Sequence, residues 1–148
     1  MEGAKPLRGW MYVVGAIYVL MGVRLLPWIN GSMIESGLGD VAAPGIDLEP
    51  ESSFFQFAVD WMGVLGLDLI VLGVALLYAA RNDPARHRLL IHVVIWLEAT
   101  RGVLVDVWII SRSYSSAGFY VGFIVFHLVL IGTGVAALRS SRSMEVAA

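Results

Sequence analysis

Four long apolar runs, separated by polar breaks, restrict what this chain can fold into. A helix needs roughly 20 mostly apolar residues to cross a bilayer core of about 30 Å. The runs are continuous and do not alternate in polarity, which favours helices over membrane strands. The sequence therefore predicts an all-α fold, with residues 1–148 forming one integral membrane domain that is an antiparallel bundle of four transmembrane helices. The predicted spans are residues 7–28, 53–80, 89–110 and 118–138.

The composition agrees with a membrane protein and narrows its chemistry. Hydrophobic residues make up 58% of the chain and charged residues 15%, whereas a soluble domain is typically about half apolar and about a quarter charged. The sequence contains no cysteine, which excludes disulfides and thiolate-based sites such as iron–sulfur clusters. The net charge of −2, with no basic stripe, argues against a nucleic-acid partner.

The segments between the spans have the composition of turns and loops. Residues 81–88 contain Pro84 and form a short turn, residues 111–118 form a short loop, and residues 29–52 form a longer external loop rich in glycine and proline. Ser53, followed three residues later by Gln56, is predicted to cap the second helix.

Basic residues beside the spans predict the orientation of the chain. Seven of them fall on one side of the bundle, and only Arg112 falls in the loops of the other side. By the positive-inside rule both termini are cytoplasmic, in a multi-pass protein of the cell membrane. The seven are Lys5, Arg8, Arg81, Arg86, Arg88, Arg139 and Arg142.

Several ionisable residues lie inside the predicted spans, where a charge costs at least about 2.5–3.5 kcal/mol. Residues equally distant from a hairpin turn face each other, which pairs Asp68 with Arg101 across the second and third spans. The next hairpin places Glu98 within one helical turn of His127. The sequence therefore predicts one buried polar cluster near mid-membrane, made of Asp68, Glu98, Arg101 and His127, as a site for ligand binding or proton relay.

A second, outer charged group is predicted from depth. Arg24 lies at the same depth as Asp106 and close to that of Asp60, so a pair of Arg24 with either carboxylate is expected. Both groups have a simpler interpretation, in which paired charges only fix helix packing. Against it, the carboxylates outnumber the arginines, which favours a protonated carboxylate, a cationic or proton-donating ligand, or water at the site.

The histidines do not predict a cofactor. Haem ligation by His92 and His127 would need similar depths, and their distances from the cytoplasmic ends of their spans differ by about 11 Å at the helical rise. No H-E-x-x-H spacing for zinc is present. We therefore expect neither a metal nor another cofactor.

The plan of the chain resembles small prokaryotic four-helix membrane proteins of the DoxX-like type and related families of unknown function. The segments FAVDWMGVLGLDLIVLGVALL and LEATRGVLVDVW carry the resemblance, together with the longer first loop, and it covers most of the chain. It implies no catalytic residue. Because the related families include accessory subunits of membrane oxidoreductases, it leaves a subunit role open.

Three functional hypotheses follow, and a non-enzymatic role is favoured. The first is a binding or accessory protein that holds a lipid-like, amphipathic ligand or a partner helix at the buried charges, because little chain lies outside the bilayer to build a catalytic domain. The second is a proton-coupled small transporter with Glu98, His127 and Asp68 as relay groups. The third is an intramembrane lipid or isoprenoid enzyme with Glu98 and His127 as acid and base. Expected partners are membrane lipid and a homodimer or larger membrane complex.

Overall fold

A computed structural model describes residues 5–41, 49, 51–113 and 117–146, and none of these residues is in a strand. The elements are α1 (Lys5–Arg24), α2 (Pro27–Val41), α3 (Ser53–Arg81), α4 (Arg88–Leu97), the π-helical segment (Glu98–Leu104), α5 (Val105–Ser111) and α6 (Ala117–Val146). α4, the π-helical segment and α5 follow one another without a break, and we call them together the composite helix.

The structure confirms the all-helical prediction. Within the described ranges, α1, α3 and α6 are long and apolar enough to cross a membrane. The composite helix covers the predicted third span. The ends of all four long helices lie close to the predicted ends, except that α6 continues about two turns further.

The predicted first loop begins with a helix. α2 is kinked at Asn30, where φ is −132° and ψ is 31°. Its buried residue Ile34 packs against Phe55 and Val59 of α3. The segment is therefore a helix that packs on α3 and whose glycines gave it the composition of a loop, and residues 42–48 and 50 of the predicted loop lie outside the described ranges.

The helix cap of α3 lies one residue earlier than predicted. Ser52, not Ser53, is the capping residue, and its Oγ accepts a hydrogen bond from the Phe55 backbone N–H at 3.1 Å. Such a cap satisfies one of the amide groups that have no partner inside the first turn of a helix.

α1 and α3 pack closely through two pairs of glycines. Gly15 lies against Gly73 and Gly22 against Gly66. A Cβ added at Gly22 would come within 2.5 Å of the Gly66 carbonyl oxygen, and one added at Gly73 within 2.7 Å of the Gly15 carbonyl oxygen. Small residues at these positions let the two backbones touch, as in membrane helix pairs.

The helices pack unevenly against one another. α1 packs between α3 and α6, and α6 packs between α1 and the composite helix. The main core lies where these helices meet, and its fully buried side chains include Leu7, Met11, Val14, Leu76, Ile91 and Val94. We call the end of the molecule with the α1 N-terminus and the 82–87 turn the terminal end, and the opposite end the loop end.

α3 and the composite helix are neighbours in sequence but are separated by an open groove. The groove, of about 650 Å³, is lined by the α3 residues Val71, Val74, Ala75 and Tyr78, by Arg86 and His87 of the turn, and by the α4 residues Leu89, Leu90 and Val93. The second and third spans therefore face each other across a groove that the described residues leave open.

Candidate functional site

Three helices direct polar side chains to one buried position, which we call the carboxylate–imidazole cluster: Tyr18, Glu98, Asp106 and His127. The Tyr18 hydroxyl donates a hydrogen bond to Glu98 Oε1, and Glu98 Oε2 is hydrogen-bonded to His127 Nδ1. The other ring nitrogen, His127 Nε2, lies 3.6 Å from Asp106 Oδ2. Glu98 and Asp106 are each only 7% exposed. The imidazole therefore bridges two buried carboxylates through its two nitrogens.

The π-helical segment explains how one helix presents both carboxylates to α6. Glu98, Gly102 and Asp106 follow at four-residue spacing, and all three are buried. In a regular α-helix of 3.6 residues per turn, two residues eight positions apart are rotated by roughly 80° from each other. A π turn closes one residue later than an α turn. The wider turn reduces this rotation and keeps the three residues on one face.

Gly102 makes room for the imidazole ring. A Cβ at this position would lie 2.5 Å from His127 Cγ and 2.6 Å from its Nδ1. On its own helix the ring is flanked by Phe123 and Phe126, at centroid distances of 6.3 and 5.7 Å. The ring is thus held by close contact on several sides, which fixes the direction of both nitrogens.

The charges of the cluster do not balance. With both carboxylates ionised and His127 protonated, the four side chains carry a net charge of −1. Asp106 Oδ2 is buried and has no hydrogen-bond partner among the described residues, since its distance of 3.6 Å from His127 Nε2 exceeds hydrogen-bond distance. A buried oxygen without a partner costs free energy, so the arrangement is suited to taking up a proton. No three His, Asp or Glu side chains within the described residues are placed to hold a metal ion.

The predicted inner cluster is divided into two separate groups. Glu98 and His127 lie together in the carboxylate–imidazole cluster. Asp68 and Arg101 also meet, with Arg101 Nη1 3.4 Å from Asp68 Oδ2, but their side chains are 56% and 53% exposed. They lie on the outer surface of the bundle, because Arg101 projects from a different face of the π-helical segment than buried Glu98.

The predicted outer charged group does not assemble. Arg24 and Asp60 are both exposed, and no ion pair joins Arg24 to Asp60 or Asp106 among the residues that the structure covers. Asp106 is instead turned inward to His127. Depth along a helix predicted the level of Asp106 in the bundle, but the face on which it lies depends on the π turn.

Tyr18 is a member of the cluster that the sequence interpretation missed. It lies in the apolar run of α1, is 3% exposed, and donates its hydroxyl to Glu98. The signal in the sequence is a phenol inside a span, where a buried hydroxyl needs an acceptor. That signal requires a partner but does not identify it.

Comparison with known proteins relates the chain to one family. The model of the BphX-like family matches residues 4–143. An uncharacterized BphX-like protein of Burkholderia cepacia and another of Paraburkholderia xenovorans (strain LB400) are each 32% identical over 142 residues, which covers 96% of this chain and 97% of theirs. No solved structure matches. The expected relation to a family of unknown function is confirmed, whereas the finer resemblance to DoxX-like proteins is not shown.

Proposed function

Because this chain belongs to the BphX-like family and has three helices apolar enough to cross a membrane, we propose that it is a four-span membrane protein of the binding or accessory type. The composite helix, Arg88–Ser111, supplies the fourth span. At about 1.5 Å per residue it is roughly 36 Å long, enough for a bilayer core of about 30 Å. The basic residues flanking the spans place both termini in the cytoplasm.

The surface of the bundle supports this location. Large apolar side chains such as Val71 of α3 and Val125 of α6 are more than half exposed, as expected for a surface that contacts lipid. Three exposed tryptophans, Trp28, Trp61 and Trp108, are grouped toward the loop end, where they suit the interface between lipid and water.

The observation that carries the proposal is the half-exposed ion pair of Asp68 and Arg101. Its exposed neighbours along the same two helices, Leu67, Val71 and Leu104, are apolar. A guanidinium has five N–H donors, and one contact at 3.4 Å leaves most of them for other acceptors. Lipid tails provide no acceptor, so charges at this level need cover from polar groups.

The cover that fits this surface is a transmembrane helix of a partner protein with polar side chains. A helix can bring acceptors to Arg101 and donors to Asp68, and its apolar side chains can fill the groove between α3 and α4. Polar contacts between membrane helices are a common basis of association. The chain would then act as an accessory subunit of a larger membrane complex.

A double variant, Asp68→Asn with Arg101→Gln, tests this role. The matched control is Asp60→Asn with Arg24→Gln, which also removes one carboxylate and one guanidinium, at exposed positions that do not line the groove. Each chain is expressed at native level in a host that carries the natural partners, solubilised in mild detergent and weighed by native mass spectrometry. We expect a stoichiometric partner chain with wild type and control, and its loss with the Asp68/Arg101 variant.

Three outcomes would contradict the partner-helix role. They are a wild-type chain that carries only lipid, one that carries only a second copy of itself, and a partner that stays bound to the double variant. Melting curves in detergent show whether the variant is folded. Both side chains are half exposed. We therefore expect the free energy of unfolding of the isolated chain to fall by less than the cost of breaking a buried pair, which is about 3–5 kcal/mol.

A further inference from the structure

The carboxylate–imidazole cluster is closed toward one end of the molecule and near the surface toward the other. Toward the terminal end, the core side chains of Met11, Val14, Ile91 and Val94 fill the bundle next to it. Toward the loop end, Asp106 is the last member of the cluster. It lies five residues before the end of α5 at Ser111, which is about 8 Å at the helical rise.

The titratable groups that face His127 all belong to the cluster. They are Tyr18 from α1 and Glu98 and Asp106 from the composite helix, while α6 itself contributes phenylalanines around the ring. No described residue of α3 is among the ionisable contacts of His127. Arg101 is directed outward to Asp68, so no guanidinium neutralises the two carboxylates.

The space within the cluster admits a very small ligand. The Tyr18 hydroxyl, Glu98 and His127 already touch one another, and the ring fills the gap that Gly102 leaves. The remaining gap is the 3.6 Å between His127 Nε2 and the unpartnered oxygen of Asp106. That distance is longer than an N–H···O hydrogen bond by roughly 0.4–0.9 Å, which a small side-chain rotation can close.

We propose that the cluster is a proton-binding site entered from the loop end, in which His127 passes one proton between Asp106 and Glu98. In the starting state Asp106 is a neutral acid, the imidazole is neutral with its hydrogen on Nδ1, and Glu98 is a carboxylate. Asp106 gives its proton to Nε2 while Nδ1 gives its proton to Glu98 Oε2. Asp106 becomes the carboxylate, Glu98 becomes the acid, and the imidazole is neutral again with its hydrogen on Nε2.

The transfer moves one proton inward and creates no net charge. Tyr18 is a positioning residue, because its hydroxyl donates to Glu98 Oε1 and leaves Oε2 facing the ring. Beyond Glu98 the apolar core offers no further titratable group in the described part of the bundle. The proton is therefore stored and returned by the same route, and the site does not conduct protons across the membrane.

Nitrogen-15 NMR of histidine-labelled wild-type protein in nanodiscs tests the proposal. The chain has three histidines, so spectra of His87→Gln and His92→Gln identify the signals of His127. We expect the His127 ring to populate two tautomers in exchange, with its hydrogen on Nδ1 while Asp106 holds the proton and on Nε2 while Glu98 holds it. A ring that keeps one tautomer throughout, while the protein stays folded, would overturn the proposal.

Two further measurements separate storage from a structural role and from conduction. Asp106→Asn preserves the shape of the side chain but removes the acid that exchanges its proton with Nε2, so it should hold His127 in one tautomer without changing its contact with Glu98. Exchange between the two tautomers that persists unchanged in this variant would count against the proposal. If the variant does not fold, the wild-type spectra decide. In vesicles with an internal pH dye we expect no proton flux, and a flux that is lost in His127→Gln would overturn the one-sided site. This test is independent of the partner-helix role, which involves other residues.

Discussion

At the scale of single residues, the buried cluster depends on contacts so close that there is almost no room for a larger side chain or for the loss of a donor. The imidazole of His127 lies where a side chain at Gly102 would lie, and the only hydrogen-bond donor given to Glu98 Oε1 among the described residues is the Tyr18 hydroxyl. The first feature depends on the absence of one methyl group, and the second depends on one oxygen atom. They can be tested by substitutions that change little else.

Gly102→Ala should destabilise the protein by about 1–3 kcal/mol, the usual cost of an extra methyl group in a packed interior. The added Cβ would lie 2.5 Å from His127 Cγ, so the ring or the π-helical segment must move. Unfolding in detergent by heat or denaturant measures the loss. Gly122→Ala is the control, because nothing lies within 4 Å of its added Cβ and alanine favours a helix by roughly 0.5–1 kcal/mol. Equal effects of the two substitutions would contradict the described fit.

Tyr18→Phe should cost about 1–3 kcal/mol, because it leaves a buried carboxylate oxygen without its hydrogen bond. The ring itself stays, so the packing of α1 is preserved. Tyr12→Phe on the same helix is the matched control, since Tyr12 is 43% exposed and its loss should change stability little. The same unfolding measurement decides, and a null effect at Tyr18 would show that its hydroxyl does not hold Glu98.

At the scale of elements, the π-helical segment decides which side chains of the composite helix point inward. It begins at Glu98 and ends at Leu104, so it covers the stretch between the two carboxylates of the cluster. A π turn within an α-helix is equivalent to one extra residue. Removing one residue should restore the α-helix and keep the flanking parts in phase, because Glu98 and Asp106 would then be seven positions apart, close to two full α turns.

Deletion of Thr100 should therefore remove the π turn and keep Asp106 facing His127. Thr100 is exposed and its hydroxyl donates to the Trp96 carbonyl, at 2.7 Å, so its side chain contributes little to the core. We expect unchanged helix content by circular dichroism, and the same effect of Asp106→Asn on the melting temperature in the deletion background as in wild type. Thr100→Ala, which keeps the backbone length, should melt like wild type. A deletion variant that no longer responds to Asp106→Asn would contradict the role given to the π turn.

At the scale of the whole molecule, α1 and α6 hold the bundle together, while α3 and the composite helix face each other across an open groove. α1 and α3 pack closely through their glycines. The composite helix is connected to this pair through α6. This asymmetry leaves the Asp68–Arg101 pair at an open face, where a partner helix can reach it.

Single-cysteine labelling tests the four-span topology with both termini cytoplasmic. The chain has no native cysteine, so Gly39→Cys and Asn82→Cys each carry one thiol at an exposed position. An impermeant maleimide added to intact cells should label Gly39→Cys and not Asn82→Cys, while permeabilised cells should show labelling of both. Labelling of Asn82→Cys alone in intact cells would reverse the orientation, and labelling of both would contradict the four spans.

The sequence by itself determined where the long helices lie, because apolar length is a local property that adds up along the chain. Hairpin register also placed Asp68 opposite Arg101 and Glu98 near His127, since a short turn allows little slippage. The helix α2 escaped prediction because its glycines and short length resemble a loop, and its stability depends on burying Ile34 against Phe55 and Val59.

Only the tertiary structure decided which way each side chain faces around its helix. One extra residue in a turn rotates all that follows, so the π-helical segment turned Asp106 toward His127, and Arg101 away from Glu98, at unchanged depth. The Tyr18 hydroxyl reaches Glu98 because α1 and the composite helix both pack against α6. Depth follows from counting residues along one helix, whereas orientation is set by packing against the others.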